Sequence, residues 1–312
     1  MVSAPLRIRD FVITRNNWIF AVVSYHNAPF IQAFLRYVPD EKGERIRQDG
    51  TRFRKVGFEA AQRLMRASRY YQNGLCAIPY EAVSEVRRPG QYVEQSDDVD
   101  VARLVELLES YGIGRWHMGV TGSRLVGLQA ATSDIDFVVY GRSSFERGRA
   151  ALRDAVESGT LPPITGDMWR RIYAKRTPEL TFDEFVLHEK RKWNRGVTGE
   201  TYFDLLFVRG YDEIAAEPRG VDNGYATLNA VVTNAAYAFD SPAVYEVDHE
   251  AVAKVLAYTH TYAGQAHKGE TIEARGRCNE ADVTRLIVGT TREARGEWIK
   301  SCTLLSHAIS FR

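Results

Sequence analysis

The chain predicts an α+β protein: a central α/β domain flanked by a β-rich N-terminal region and a β-rich C-terminal region. Two observations lead there. Short runs rich in β-branched and aromatic residues crowd both ends of the chain, each bounded by turn residues. In the middle third, apolar runs of strand length alternate with longer stretches whose apolar residues recur every three or four positions. The boundaries fall at 1–95, 96–210 and 211–312.

In the first region WIFAVVSYH and FIQAFLRYV read as two strands of a hairpin or meander, broken around Asn27 and Pro29. GTRFRKVG alternates basic with other side chains, as a half-exposed strand does. FEAAQRLMRASRYYQ then sets Phe58, Ala61, Leu64, Met65 and Ser68 near helical spacing. VRRPGQYVEQS, residues 86–96, reads as a linker. Ser96 or Asp97 caps a helix through VDVARLVELLESYG, with Val99, Val101, Leu104, Leu107 and Leu108 as its apolar stripe and Gly112 at its end.

The central region continues with the strand WHMGV, a helical turn in GSRLVGLQ, the strand DIDFVVYG and the helix FERGRAALRDAVESG closed by Gly159. Helices follow in DMWRRIYAKR and ELTFDEFVLHEKRKWN, and TYFDLLFVRG is another strand. Beyond it YATLNAVVT, AVYEVD, VLAYTHTYAG, GETIEARGRC, TRLIVGTT and EWIKSCTLL are short strand candidates at regular spacing. That pattern fits a small barrel or sandwich, an OB-like barrel among them.

Composition narrows the function classes. Three widely spaced cysteines, Cys76, Cys278 and Cys302, form neither a zinc ribbon nor a disulfide framework. No apolar run approaches the ~20 residues that cross a bilayer, and the first residues carry no signal-peptide pattern, so a cytoplasmic protein with no membrane partner is expected. The net charge of +1 is neutral on nucleic acid, but residues 42–69 hold nine basic side chains against three acids, and Lys190, Arg191, Lys192 and Arg195 form a second basic cluster. Either is a candidate phosphate contact.

The informative segment is GVTGSRLVGLQAATSDIDFVVYG, residues 119–141. Asp134 and Asp136 open a strand in which alternate side chains share a face, so the two carboxylates project together and Ile135 turns inward. Side-by-side carboxylates repel unless a cation lies between them. They are the hard oxygen ligands that magnesium uses while keeping water and substrate phosphates in its other positions. Upstream, Gly122 lets the backbone approach a phosphate, and Ser123 adds backbone and hydroxyl donors for an anion.

This segment resembles the nucleotidyltransferase domain of the DNA polymerase beta superfamily, and most of all its minimal pattern: G-S, a second glycine, then S-D-I-D. Gly122, Ser123, Gly127, Ser133, Asp134 and Asp136 match it at the usual spacing. The wider arrangement resembles archaeal polymerase-beta-like proteins. At one position the chain departs: Val126 stands where an arginine is common before the second glycine. The resemblance implies a small sheet with the Gly122-Ser123 turn after its first strand, Asp134 and Asp136 on the second, and a third carboxylate on a later strand. Asp204, a lone acid in the apolar run TYFDLLFV, is the candidate; Asp154, Asp183 and Glu184 lie in predicted helices.

The function so implied is metal-dependent nucleotidyl transfer. Asp134, Asp136 and Asp204 would hold Mg2+ or Mn2+, and Gly122 with Ser123 would bind the triphosphate of an NTP such as ATP. NMP would pass to a hydroxyl with release of pyrophosphate. The basic, β-rich flanks favour an RNA or DNA 3′ end as acceptor; a protein side chain or a small molecule are the other acceptor classes. Two alternatives stand beside it: a non-catalytic nucleic-acid-binding protein on the same core, and a toxin–antitoxin-type enzyme that modifies a protein.

Overall fold

The computed structural model describes residues 5–72, 75–215, 220–280, 283–291 and 294–310. Helices and strands are mixed throughout, as an α+β chain requires. The chain divides into two compact units, Met1–Leu161 with Arg195–Ile214 and Pro162–Asn194 with Ala215–Arg312. These units cut across the boundaries drawn from the sequence. The N-terminal region joins the first half of the α/β region because their apolar side chains are buried together: Phe11, Ile13, Ile19, Tyr37 and Phe53 cluster with Leu125, Val126 and Leu128.

In the first unit β1 (Phe11–Thr14), β2 (Ile19–Val22), β3 (Phe30–Pro39), β4 (Arg45–Ile46), β5 (Arg52–Lys55), β6 (Tyr71–Gln72), β7 (Leu75–Pro79) and β8 (Val83–Arg87) build one sheet. Its main path is β4-β5-β3-β2-β1-β8, with β7 on β3 and β6 on β7. β2 and β3 are the expected antiparallel pair. β1, β7 and β8 are short strands that the spacing did not signal; they form by pairing with one another or with their neighbours, β1 with β2 and β8, and β7 with β3. Helix α1 (Phe58–Arg66) buries Ala61 and Met65 on the face that carries Val12, Phe20 and Leu35. Ser68, expected in its stripe, lies past its end.

The expected linker at 86–96 is not one. It holds the end of β8 and helix α2 (Pro89–Gln95), begun by proline at a position whose N–H has no helical partner anyway and anchored by buried Val93. Helix α3 (Val99–Ser110) is capped by Asp98 rather than Ser96 or Asp97: its carboxylate accepts from the N–H groups of Asp100 and Val101. Val101, Leu104, Val105 and Leu108 form the buried stripe, while Val99 is 63% exposed.

A second sheet runs β11-β12-β10-β9. It is built from β9 (Met118–Thr121), β10 (Ile135–Tyr140), β11 (Arg195–Thr198) and β12 (Thr201–Val208), with the single-turn helix α4 (Gly122–Leu125) after β9. Helix α5 (Arg142–Glu157) buries Ser144, Phe145, Gly148, Ala151, Leu152 and Ala155 at helical spacing. It covers one face of this sheet, where Phe145 meets Phe207 at 5.4 Å. The other face carries Val138, Tyr140, Leu206 and Val208, packed against Ile8 and Tyr25 from the N-terminal region.

The second unit holds α6 (Gly166–Arg176) and α7 (Phe182–Lys190), capped by Thr165 and Thr181. It also holds β13 (Val221–Tyr237), β14 (Ala243–Asp248), β15 (Lys254–Ala257), β16 (Thr271–Glu280), β17 (Thr284–Val288) and β18 (Trp298–Ser301). The pairings β13–β14–β15–β17–β16 return to β13 through a β13–β16 ladder, so five strands close a circuit, with β15 and β17 parallel. β18 pairs with β16 beside β17. Two expected strands are shorter than drawn. VLAYTHTYAG leaves its strand at Ala257 for a 3-10 turn at His260–Tyr262, and EWIKSCTLL passes at Cys302 into helix α8 (Cys302–Ser310). Among the described residues no helix is long and apolar enough to cross a membrane.

Candidate functional site

Strand register assembles the site. Asp136 on β10 pairs with Asp204 on parallel β12 and with Thr121 on antiparallel β9. Asp204 in turn pairs with Arg195 on β11. Residues paired across a sheet share a face. Arg195, Asp204, Asp136 and Thr121 therefore form one row across four strands, on the face where the N-terminal region packs. Asp134 precedes β10 by one residue and is half-buried, on the same side by alternation. Of the predicted acids, the structure brings Asp136 and Asp204 together. Among the described residues no group of three or more His, Cys, Asp or Glu side chains forms a ready metal cage.

Gly122 and Ser123 follow directly from Thr121. Gly122 has φ +73°, the left-handed region that glycine enters without strain. A Cβ there would collide with Asp136 Oδ2, so the turn lies against that carboxylate. The Ser123 carbonyl accepts from Leu128 N at 2.8 Å, which closes the loop after α4. Val126 is buried in the cluster between α4 and the N-terminal sheet. The loop into β10 is held by two other arginines. Arg45 donates to the Leu128 carbonyl at 3.2 Å and Ser133 Oγ at 3.4 Å. Arg124 donates to the Ser133 carbonyl at 3.3 Å and pairs with Asp98.

Cations surround the carboxylates. Arg195 Nε lies 3.7 Å from Asp204 Oδ1, with its side chain 3% exposed, and Tyr202 donates its hydroxyl to the same oxygen at 2.9 Å. Burial, then the neighbouring Asp204, pushes the Asp136 carboxyl above the usual range; Arg9 and Arg36 pull it down and Asp134 pushes it up. Burial lowers Arg9 below the ordinary arginine value, with Asp136 the first group opposing it. Arg9 has φ +75°, uncommon for a residue with a side chain. Its carbonyl accepts from the Thr121 hydroxyl at 2.7 Å, which ties the N-terminal segment to the strand that feeds Gly122.

The sequence carried no sign of Arg9 or Arg36 here, because both come from the N-terminal region, whereas Tyr202 lies two residues before Asp204 on β12 and shares its face by alternation, a signal the sequence did hold. Three members of the Lys190–Arg195 cluster turn to separate ion pairs. Arg191 pairs with Glu270 at 2.6 Å, buried Lys192 with Glu189 at 2.5 Å, and Arg195 turns to Asp204. Arg54 pairs with Asp40 at 2.8 Å. His117 Nδ1 lies 3.0 Å from the Tyr140 carbonyl at the far end of β10.

Uncharacterized protein MJ1086 of Methanocaldococcus jannaschii is 37% identical over 335 aligned positions, taking in 95% of this chain and 98% of that protein. This chain belongs to the MJ1086 family. No family model and no solved structure matches it. Near-complete coverage on both sides means that both units of the fold lie within the likeness to MJ1086.

Proposed function

We propose that the chain is a nucleotidyltransferase of the DNA polymerase beta type, moving NMP from an NTP to a hydroxyl with release of pyrophosphate. One observation carries the proposal: Asp136 and Asp204 face each other in register beside the left-handed Gly122 turn. The Gly122-Ser123 turn after β9 and the aspartates on β10 and β12 support this reading. The donor set suits magnesium, which takes one or two carboxylates and completes its shell with water and phosphate oxygens instead of an all-protein cage. Asp136 and Asp204, with Asp134 beside them, would hold Mg2+ or Mn2+, which would supply charge neutralisation for the transferring phosphoryl group. The chain's own part is positioning. Gly122 and Ser123 would seat the phosphates, and Asp204 would accept the proton of the attacking hydroxyl.

The closed five-strand circuit of the second unit supports an OB-like barrel there. A nucleic-acid 3′ end is the acceptor we favour, since arginines crowd the carboxylate face. A second reading draws on the same arginines: Arg9, Arg36 and Arg195 balance Asp136 and Asp204, as a non-catalytic binding core needs.

One experiment separates the two. The protein is incubated with each labelled NTP, with magnesium or manganese, and with tRNA, single-stranded DNA and protein acceptors. Label should move to one acceptor class and vanish in an Asp134→Ala/Asp136→Ala double variant. Transfer that survives in the double variant retires the proposal, and no transfer to any acceptor leaves the binding core.

A further inference from the structure

The outer face of the closed circuit carries a second organised feature, remote in sequence from the aspartates. On β16, Ile272, Ala274 and Gly276 are buried, while Glu273, Arg275 and Arg277 alternate outward. Tyr225 of β13 pairs in register with Arg277, and Trp298 of β18 pairs with Arg275. The result is a ladder across three strands in which cations and rings alternate. The Arg277 guanidinium lies 4.9 Å from the Tyr225 ring centre, and Arg275 lies 5.9 Å from Tyr225 and 5.6 Å from Trp298. Lys300 Nζ ends the ladder, 6.0 Å from the Trp298 ring.

The ladder is both ordered and open. Glu273 accepts from Trp298 Nε1 at 2.8 Å and pairs with Lys300 at 2.9 Å, which fixes the indole in place. Arg275 Nε donates to the Gly296 carbonyl at 3.1 Å. Tyr225 is 50% exposed, and β13 residues 221–225 are exposed throughout. Arg275, Arg277 and Lys300 supply the cations of this face; Glu273 pairs with Lys300, and Asp222 and Glu297 lie within electrostatic reach of Arg277.

We propose that Tyr225, Arg275, Arg277, Trp298 and Lys300 form a binding surface for a single-stranded polynucleotide. Charge and shape select that occupant. A single strand presents phosphates and unpaired base faces in alternation, and cations alternating with rings match both. A duplex hides its base faces, and an acidic peptide has nothing to stack. Rings held before binding lose little freedom on contact. The surface deepens the acceptor half of the function proposed above but is read out without any NTP.

The test uses the full-length protein and fluorescein-labelled oligo(U) and oligo(dT) of about twelve nucleotides, within the span of such sites. Anisotropy is followed against salt, with a blunt duplex and polyglutamate as competitors. Both single strands should bind more tightly than duplex, and a difference between them tells which polymer is preferred. Tyr225→Ala, at a half-exposed position, should weaken binding about tenfold, one stacked base. Arg275→Gln/Arg277→Gln should flatten the log–log salt slope by about 1.4, two phosphate contacts. Wild-type affinity in folded Tyr225→Ala, a tighter duplex, or equal displacement by polyglutamate overturns the proposal. Protein that binds single strands but transfers no label upholds the surface and retires only the transfer reading; protein that transfers label without binding them does the reverse.

Discussion

Asp136 and Asp204 stand opposite each other on neighbouring parallel strands, so two carboxylates share one face of the β11-β12-β10-β9 sheet. Burial and like charge make that pairing costly by itself, which is why the Asp136 carboxyl titrates above its usual range. Asp136→Asn and Asp204→Asn should each cut label transfer roughly a hundredfold or more. Asp136→Asn should leave stability unchanged or raise it by about 1 kcal/mol, since it removes the repulsion. Magnesium with NTP should raise the wild-type Tm by mass action and leave that of Asp136→Asn unmoved. Rate assays and thermal melts check all three.

Gly122 meets two demands at once, a left-handed φ and the nearness of Asp136 Oδ2. Gly122→Ala should therefore cost about 2–3 kcal/mol and displace the carboxylate. Gly141 is a built-in control: it has φ +85° and open space where a Cβ would go. Gly141→Ala should cost about 1 kcal/mol and leave transfer intact. Urea midpoints with transfer rates for the pair separate backbone strain from contact with the carboxylate.

The Arg195 side chain is 3% exposed and faces Asp204 from β11. Removing one partner of a buried pair leaves the other charge uncompensated, so Arg195→Gln should destabilise the first unit by about 2–4 kcal/mol. The Arg195→Met/Asp204→Leu double variant should recover most of that stability in a double-variant cycle measured by urea unfolding.

Acid should affect the two units in opposite directions. His188 is fully buried, with Nδ1 donating to the Glu184 carbonyl at 2.7 Å and Nε2 accepting from Ser301 N at 3.0 Å. Only the neutral ring satisfies both, and burial pushes its pKa down to about 4. A lowered histidine stabilises above its unfolded value of about 6.5, and that stability, about 3 kcal/mol, is lost as pH falls toward 4. Asp10 is 1% exposed, and burial pushes it up to about 6. A raised carboxyl stabilises below its unfolded value, and its contribution, about 3 kcal/mol, is lost as pH rises through 6. Hydrogen exchange between pH 4 and 7 should show protection of 182–190 falling toward acid, flattened in His188→Gln. Protection around β1 should change the opposite way, flattened in Asp10→Asn.

Local chemistry determined much of this protein from the sequence alone. Helical spacing marked α1, α3 and α5, and alternation put Asp134 and Asp136 on one side. The lone acid in the TYFDLLFV strand singled out Asp204. These features are legible because they depend on residues a few positions apart. Pro89 and Val93 turning 86–96 into strand and helix, and Asp98 as the cap of α3, were at the edge of that reach, where several polar residues compete for one role.

What only the tertiary structure decided depends on pairing between distant segments. Register alone aligned Asp204 with Asp136 and gave Arg195 its partner. Burial of Phe11, Ile13 and Tyr37 against Leu125 and Val126 joined the N-terminal strands to the site and explains Val126 as core. Arg9 and Arg36 reach Asp136 through that packing, and Tyr225, Arg275 and Trp298 meet through strand closure. A side chain's period states which way it points, whereas the neighbour it meets is chosen by long-range burial and hydrogen bonding that no local pattern encodes.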